Sequence, residues 1–321
     1  MVGGMAGPAA QGVRIEWAQV PAAVRAEIED VCGSAVVQAR TQPGGFSPGL
    51  AVRVRCANGA RYFVKAVSAR ANEDTPGLHR QEAYVLAALE PLISSRQLPI
   101  PRLYGTVDRP PWIALVLQDI PGRQPRLPWR AAELRQVVAV LDQLADVLTP
   151  APVPVPTVSE RLGGMFTGWR TLAARPPGRD HLDPWSRARL DQLADLEATW
   201  TDHAAGETML HADIRADNIL LTSQGAMVVD WPWACQGAAF TDLVLFAPSA
   251  AVQGGPPPAD LIASSRSGGA ASPQAMTALV CAVAGYLTES SLRPPPPGLP
   301  TVRAFQAAHA AIARRWLTER L

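Results

Sequence analysis

One polar segment constrains this chain of 321 residues more than any other: His211-Ala212-Asp213-Ile214-Arg215-Ala216-Asp217-Asn218, followed by a further acid, Asp230. Between Asn218 and Asp230 lie two short apolar runs, residues 219–222 and 226–229, on either side of Ser223-Gln224-Gly225. Short apolar runs around a Gly-bearing turn read as a strand hairpin. A hairpin reverses the chain, so it returns Asp230 to the neighbourhood of Asn218 and Asp213. Two carboxylates and an amide held together in this way need a rigid body around them.

Residues 211–218 fit H-x-D-x-x-x-x-N, the catalytic-loop pattern of kinases. Phosphoryl transfer asks for positioned anions, cations and a base, and little covalent help. Asp213 is placed to accept or orient the proton of an attacking hydroxyl. Asn218 and Asp230 are candidate ligands for Mg2+, which takes hard oxygen donors and only a few of them from protein. His211 is expected to brace the loop by hydrogen bonding. Arg215, two residues after the candidate base, is either a cation for the γ-phosphate or a solvated surface arginine.

The first part of the chain reads as a sheet. Residues 21–31 form a short helix ended by Gly33, and strands follow at 34–41, 50–56 and 61–67. Asn58-Gly59 between the second and third is a hairpin signal, because both positions accept positive φ. A helix over 79–89 and strands over 103–107 and 112–117 complete a five-stranded, mostly antiparallel unit with one inserted helix, ending near Gly122.

Lys65 lies on the third strand, and it is the single lysine among the 29 cationic residues. Lysine is a compact point charge and arginine a planar fork, so the two are not equivalent at a phosphate. A lone lysine in an arginine-rich chain therefore points to phosphate contact. Glu82, on the helix that follows, is the expected ion-pair partner. Gly44, Gly45, Phe46 and Ser47 lie in the turn between the first two strands, where backbone amides could approach phosphates. Gln118, Asp119 and Ile120, after the fifth strand, form the candidate hinge for an adenine base.

Beyond Gly122 the chain reads mainly helical. Leu134, Val137, Val138, Leu141, Leu144 and Leu148 make one stripe at helical spacing. Asp183-Pro184 starts another helix, with Leu190, Leu193 and Trp200 on one face, and Val302, Phe305, Ile312 and Trp316 form a last stripe. The organisation expected is a nucleotide-binding unit over residues 1–122 and a catalytic and acceptor-binding unit over residues 123–321.

Bulk properties remove other classes. Hydrophobic residues make up 48 % and charged residues 18 % of the chain, a globular composition. A net charge of +1 gives no case for nucleic acid as partner. The apolar run 277–287 is far short of the roughly 18 residues that read as a membrane span. Residues 1–12 lack the basic and apolar regions of a signal peptide. Cys32, Cys56, Cys235 and Cys281 are scattered, as isolated reduced thiols of a cytoplasmic protein would be.

The parts resemble the aminoglycoside phosphotransferase-like kinases, relatives of the protein kinases that include choline, homoserine and fructosamine kinases. The resemblance covers roughly residues 34–246. It is carried by Leu210-His211-Ala212-Asp213, Asn218-Ile219-Leu220, Val228-Val229-Asp230-Trp231, Gly237 and Asp242-Leu243. It implies an α+β, two-lobed protein-kinase-like fold: a five-stranded antiparallel sheet with one helix, then a mainly helical lobe. It also implies ATP or GTP with Mg2+, transfer to a hydroxyl of a small molecule, and a structural role for Asp242 in anchoring the loop. Trp231-Pro232 stands where protein kinases have Phe-Gly, and the stretch from Asp230 to Asp242 leaves no room for an activation segment. A protein kinase is therefore disfavoured. The alternatives are a metabolite kinase or a nucleotide-binding module without transfer.

The acceptor is not expected to be a polycation. After Leu243 the only acids are Asp260, Glu289 and Glu319, against six arginines. Most of the seven acids over residues 180–207 read as a solvated helix face. A neutral or weakly charged hydroxylated compound, such as a nucleoside or macrolide antibiotic or a metabolite, fits at least as well.

Overall fold

The computed structural model describes residues 14–42, 49–71, 73–95, 97–174, 180–296 and 299–321. Gly44, Gly45, Phe46 and Ser47 of the expected phosphate turn lie outside these residues. The first part runs α1 (Ala22–Cys32), β1 (Val36–Thr41), β2 (Leu50–Cys56), β3 (Arg61–Ser68), α2 (Thr75–Ala88), α3 (Glu90–Ser94), β4 (Leu103–Arg109) and β5 (Trp112–Gln118). The strands form one antiparallel sheet in the order β1-β2-β3-β5-β4. β2 has the bounds read from the sequence, and β3, β4 and β5 each run slightly further. The insertion after β3 is longer than expected: α2 starts at Thr75, with Pro76 in its first turn where no N–H is needed, and α3 follows.

The strand period of two assigns the faces. Ala114 and Val116 of β5, Val64 and Ala66 of β3 and Val52 and Val54 of β2 pack with Val24, Ile28 and Cys32 of α1 in one cluster. Ile113, Leu115, Leu117 and Val67 face the other way and join a core that continues through α2 into the helical part. Lys65 alternates with Val64 and Ala66, so it points away from α1 and towards the helices.

The remainder comprises α4 (Ala131–Val147), α5 (Val158–Leu162), α6 (Gly168–Ala174), α7 (Pro184–Ala188), α8 (Leu190–Ala198), α9 (Trp200–Ala204), β6 (Thr208–Leu210), β7 (Ile219–Thr222), β8 (Gly225–Val228), β9 (Cys235–Gly237), α10 (Thr241–Val252), α11 (Pro258–Ala263), α12 (Arg266–Ala270), α13 (Pro273–Ser291) and α14 (Val302–Thr318). β7 and β8 form the expected hairpin, and β6 pairs with β9. Every member of the α4 stripe is buried, and each such leucine contributes on the order of 2 kcal/mol.

Three readings need correction. The helix expected from Pro184 is three short ones, α7 to α9, although Leu190, Leu193 and Trp200 are all buried as one face. Glu197 is not on a solvated face: it is fully buried and accepts from the backbone N–H of Trp169 and Arg170, both at 3.0 Å. Along α14 the buried side runs through Gln306, His309, Ala310, Ala313, Trp316 and Leu317, while Val302 and Phe305 are only half-buried and line a cleft.

Backbones approach closely where α6 meets α13. A Cβ on Gly168 would lie 2.0 Å from the carbonyl oxygen of Gly285, so only glycine fits there. That approach sets Phe166 against Tyr286, ring centroids 5.5 Å apart. No helix of the described residues is long and apolar enough to cross a membrane. All four cysteines are free and buried.

Candidate active site

A cleft of about 1220 Å³ lies between the sheet and the helices. This exceeds the usual size of a single-ligand pocket, roughly 300–1,000 Å³. Its lining joins residues from both ends of the chain, including Lys65, Gln118, Asp119, Ile120, Asp213 and Asp230.

The loop 211–218 is held from behind. Asp242, at the start of α10, accepts from the N–H groups of His211 at 2.8 Å and Ala212 at 2.7 Å. His211 is fully buried, and burial lowers its pKa, so the ring is neutral. Its Nδ1 accepts from the Asp213 N–H at 3.1 Å, and its Nε2 donates to the Val229 carbonyl at 3.0 Å. The imidazole thus joins the loop to the end of the hairpin and has no nitrogen left for proton transfer. Trp231 closes the same corner, edge-on to His211 at 4.8 Å, with its indole N–H on the Val228 carbonyl at 3.0 Å. Ala212 and Asp230 are the two non-glycine residues with positive φ, 62° and 73°, among the described residues. Such conformations cost roughly 1–3 kcal/mol and cluster at functional sites.

The charges then assemble in two closed groups. Lys65 Nζ donates to both oxygens of Glu82, at 2.8 and 2.9 Å, and to Asp230 Oδ1 at 2.6 Å. Burial works against the ammonium, but Asp230 and Glu82 together raise its pKa. Burial also opposes charge on Asp230, yet Lys65 holds its carboxyl at about 2. In the second group Arg215 reaches Asp217 at 2.6 Å and Asp213 at 3.4 Å. Burial pushes the Asp213 carboxyl up to about 6, with Arg215 pulling it down. Arg215 is therefore part of the site and not a solvated surface cation.

Asn218 uses its amide nitrogen on Asp213, donating to the carbonyl at 2.8 Å and to Oδ2 at 3.3 Å. Its amide oxygen is the atom left to face a cation. The Val229 N–H donates to the Asn218 carbonyl at 2.9 Å, which sets Asp230 beside it. One amide oxygen and one carboxylate are a donor set that suits Mg2+ when phosphates complete the shell.

At the hinge the sequence reading and the geometry differ in detail. The Asp119 carboxylate is nearly buried and ion-paired with Arg53 and with Arg61, the latter at 2.9 Å. Ile120 offers less carbonyl than expected, since that oxygen accepts from Arg53 at 2.6 Å and from the Gly122 N–H at 2.8 Å. The Gln118 N–H is taken by the Arg102 carbonyl at 2.9 Å. All three line the cleft, with Asp119 holding the hinge to β2 and β3.

Towards the helices the lining changes character. Leu162 of α5, Met165 and Phe166 beyond it, Trp233, Leu245 and Pro248 of α10, Tyr286 of α13, and Val302 and Phe305 of α14 give an apolar, aromatic surface. Among the described residues, no carboxylate lining the cleft comes from α5, α6, α10, α13 or α14. These residues escaped the sequence reading because each sits on a different helix and resembles core. The half-apolar face Val302, Phe305, Gln306, His309 was the one signal, a polar pair interrupting a stripe.

A loop of the H-x-D-x-x-x-x-N pattern, a metal-suited pair and a Lys–Glu pair around one cleft invite comparison with known proteins. The profile of the phosphotransferase enzyme family matches residues 41–279, well over half of the chain. The chain belongs to that family. Among solved structures, this family member is similar to choline kinase LicA from Streptococcus pneumoniae, with 12 % identity, 92 % of this chain and 98 % of that one covered, and a TM-score of 0.60. It is also similar to a thermostable mutant of aminoglycoside phosphotransferase APH(4)-Ia in complex with ADP and hygromycin B (15 % identity, 91 % and 98 % covered, TM-score 0.55). A third is macrolide 2'-phosphotransferase MphH from Brachybacterium faecium (18 % identity, 92 % and 98 % covered, TM-score 0.51). At these identities the likeness is one of fold, and the kinase-like architecture is shared. No curated protein sequence matches this one.

Proposed function

We propose that this phosphotransferase-family chain uses Mg2+ and ATP or GTP to phosphorylate a hydroxyl of a small molecule, and that the acceptor is not a polycation. The observation that carries the reading is Lys65 Nζ between Glu82 and Asp230, with the Asp213–Asn218 pair beside it. Lys65 would hold the α- and β-phosphates. The Ile120 N–H, at the hinge, would meet the base. Asn218 and Asp230 would hold Mg2+, which supplies charge neutralisation at the phosphates. Asp213 would orient the acceptor hydroxyl and take its proton, and Arg215 would offset negative charge at the transferred group. A solved relative in complex with ADP and hygromycin B supports nucleotide use with a small-molecule acceptor.

Thermal melts with ATP and with GTP, each with and without Mg2+, test the nucleotide assignment. Stabilisation that needs both metal and nucleotide is expected. ADP formation with a panel of hydroxylated antibiotics and metabolites then tests transfer. Stabilisation without transfer to any acceptor would instead favour a nucleotide-binding module.

A further inference from the structure

Buried polar atoms without partners are few in folded proteins, and each costs roughly 1–3 kcal/mol. Among the described residues, three of them belong to residues lining the helical half of the cleft: Ser249 Oγ on α10, His309 Nε2 on α14 and Arg161 Nε on α5. Ser249 is 3 % exposed and His309 4 %. Burial pushes the His309 pKa down to about 4, so the ring is neutral at ordinary pH. Its Nδ1 lies 2.6 Å from the Phe305 carbonyl and must carry the proton. The unpartnered Nε2 is then an acceptor only. The Ser249 hydroxyl can donate or accept.

The surroundings fix what can satisfy them. Phe166, Trp233, Tyr286 and Phe305 give an apolar surface, the helices that form it contribute no carboxylate to the cleft, and the catalytic-loop acids Asp213 and Asp217 are already held by Arg215. A ligand with several ammonium groups would find no carboxylate on these helices to receive them and would meet Arg161 and Arg215. A bulky alcohol with an apolar face would bury that face at about 25 cal/mol per Å².

We infer that the acceptor is a bulky, largely apolar polyhydroxylated compound with at most one positive charge, one of whose hydroxyls donates to His309 Nε2 while another polar group pairs with Ser249. This deepens the proposed function and rests on it. In the step itself the bond between the γ-phosphorus of ATP and its bridging oxygen breaks, ADP leaves with that oxygen, and the acceptor oxygen bonds to phosphorus as Asp213 receives its proton.

The test compares a macrolide lactone and an alkyl glucoside, as apolar alcohols, with kanamycin, as a polycation. Transfer from Mg-ATP is expected to an apolar probe, with a KM at least tenfold below that for kanamycin. Preference for kanamycin, or transfer to none of the three while Mg-ATP still stabilises the protein, overturns the inference. Absence of any Mg-ATP stabilisation overturns the phosphotransferase reading itself. On the best apolar probe, Ser249→Ala should raise the acceptor KM roughly tenfold, the loss of about 1.4 kcal/mol. The ATP KM should hold, and so should the melting temperature, because the substitution removes a hydroxyl that has no partner in the free protein. His309→Ala should raise the acceptor KM similarly, with partial recovery in His309→Gln, whose amide oxygen can still accept. An unchanged acceptor KM in both Ser249→Ala and His309→Ala overturns the assignment of the two anchors.

Discussion

The two halves of the cleft solve opposite problems. Towards the sheet, charge is dense and its central ionic groups already have partners: Lys65 with Glu82 and Asp230, Arg53 and Arg61 with Asp119, Arg215 with Asp213 and Asp217. Towards the helices the lining is apolar, and the polar atoms of Ser249 and His309 have no partner. The first half is arranged before any ligand arrives, as electrostatic preorganisation requires. The second is left incomplete, so that a ligand finishes it. A group that serves every turnover can be locked in place, whereas a group that recognises one acceptor must remain open to it.

The sharpest way to break this contrast is at the candidate base. Asp213→Asn should lower transfer by roughly 10²–10⁴-fold and leave nucleotide-induced stabilisation in place. Normal turnover in that variant would remove Asp213 from the mechanism. Next comes Lys65. A guanidinium does not fit a point flanked by Glu82 at 2.8 Å and Asp230 at 2.6 Å, so Lys65→Arg should cut turnover by about tenfold or more despite its charge. Lys65→Met should cost about 3–5 kcal/mol in urea unfolding, because it leaves Glu82 buried and unpaired.

Each half also holds a buried neutral histidine, His79 near the sheet and His309 among the helices, both with pKa depressed to about 4, chiefly by burial. The unfolded chain takes up a proton near pH 6.5 that the folded chain refuses until about pH 4. The share of stability that these two rings contribute should therefore be full above pH 6.5 and fall towards pH 4, by up to about 3 kcal/mol for each histidine, while the Asp213 carboxyl, pushed up to about 6, works in the opposite direction over the same range. His309→Gln should remove one share of that acid sensitivity and His79→Gln another. An acid limb that neither variant flattens would contradict the burial of these rings. The smallest effect is expected at the hinge. Asp119→Asn should weaken nucleotide binding about fivefold, near 1 kcal/mol, with the acceptor KM unchanged. A change in acceptor KM instead would show that the halves are not separable.

The same division runs between what the sequence shows and what it hides. Strand alternation, the Asn58-Gly59 turn and the α4 stripe were legible because each is a local rule acting over a few residues. Helix breaks were not: Arg189 and Thr199 interrupt the run after Pro184 without proline or glycine to announce it. The burial of Glu197 was equally hidden, since the N–H groups of Trp169 and Arg170 that satisfy it come from another helix.

By itself the sequence pointed to the charged half of the cleft. His211, Asp213, Asn218 and Asp230 lie on one loop and hairpin whose spacing is set by backbone geometry, and the single lysine marked its own position on β3. Tertiary structure alone decided the rest. The hinge carbonyl of Ile120 is occupied only because β2 brings Arg53 to it. The apolar surface of the cleft exists only because α5, α10, α13 and α14 converge, each contributing residues that look like ordinary core on their own helix. The physical reason is that apolar burial is nondirectional: it drives the helices together without encoding which of their side chains will border empty space.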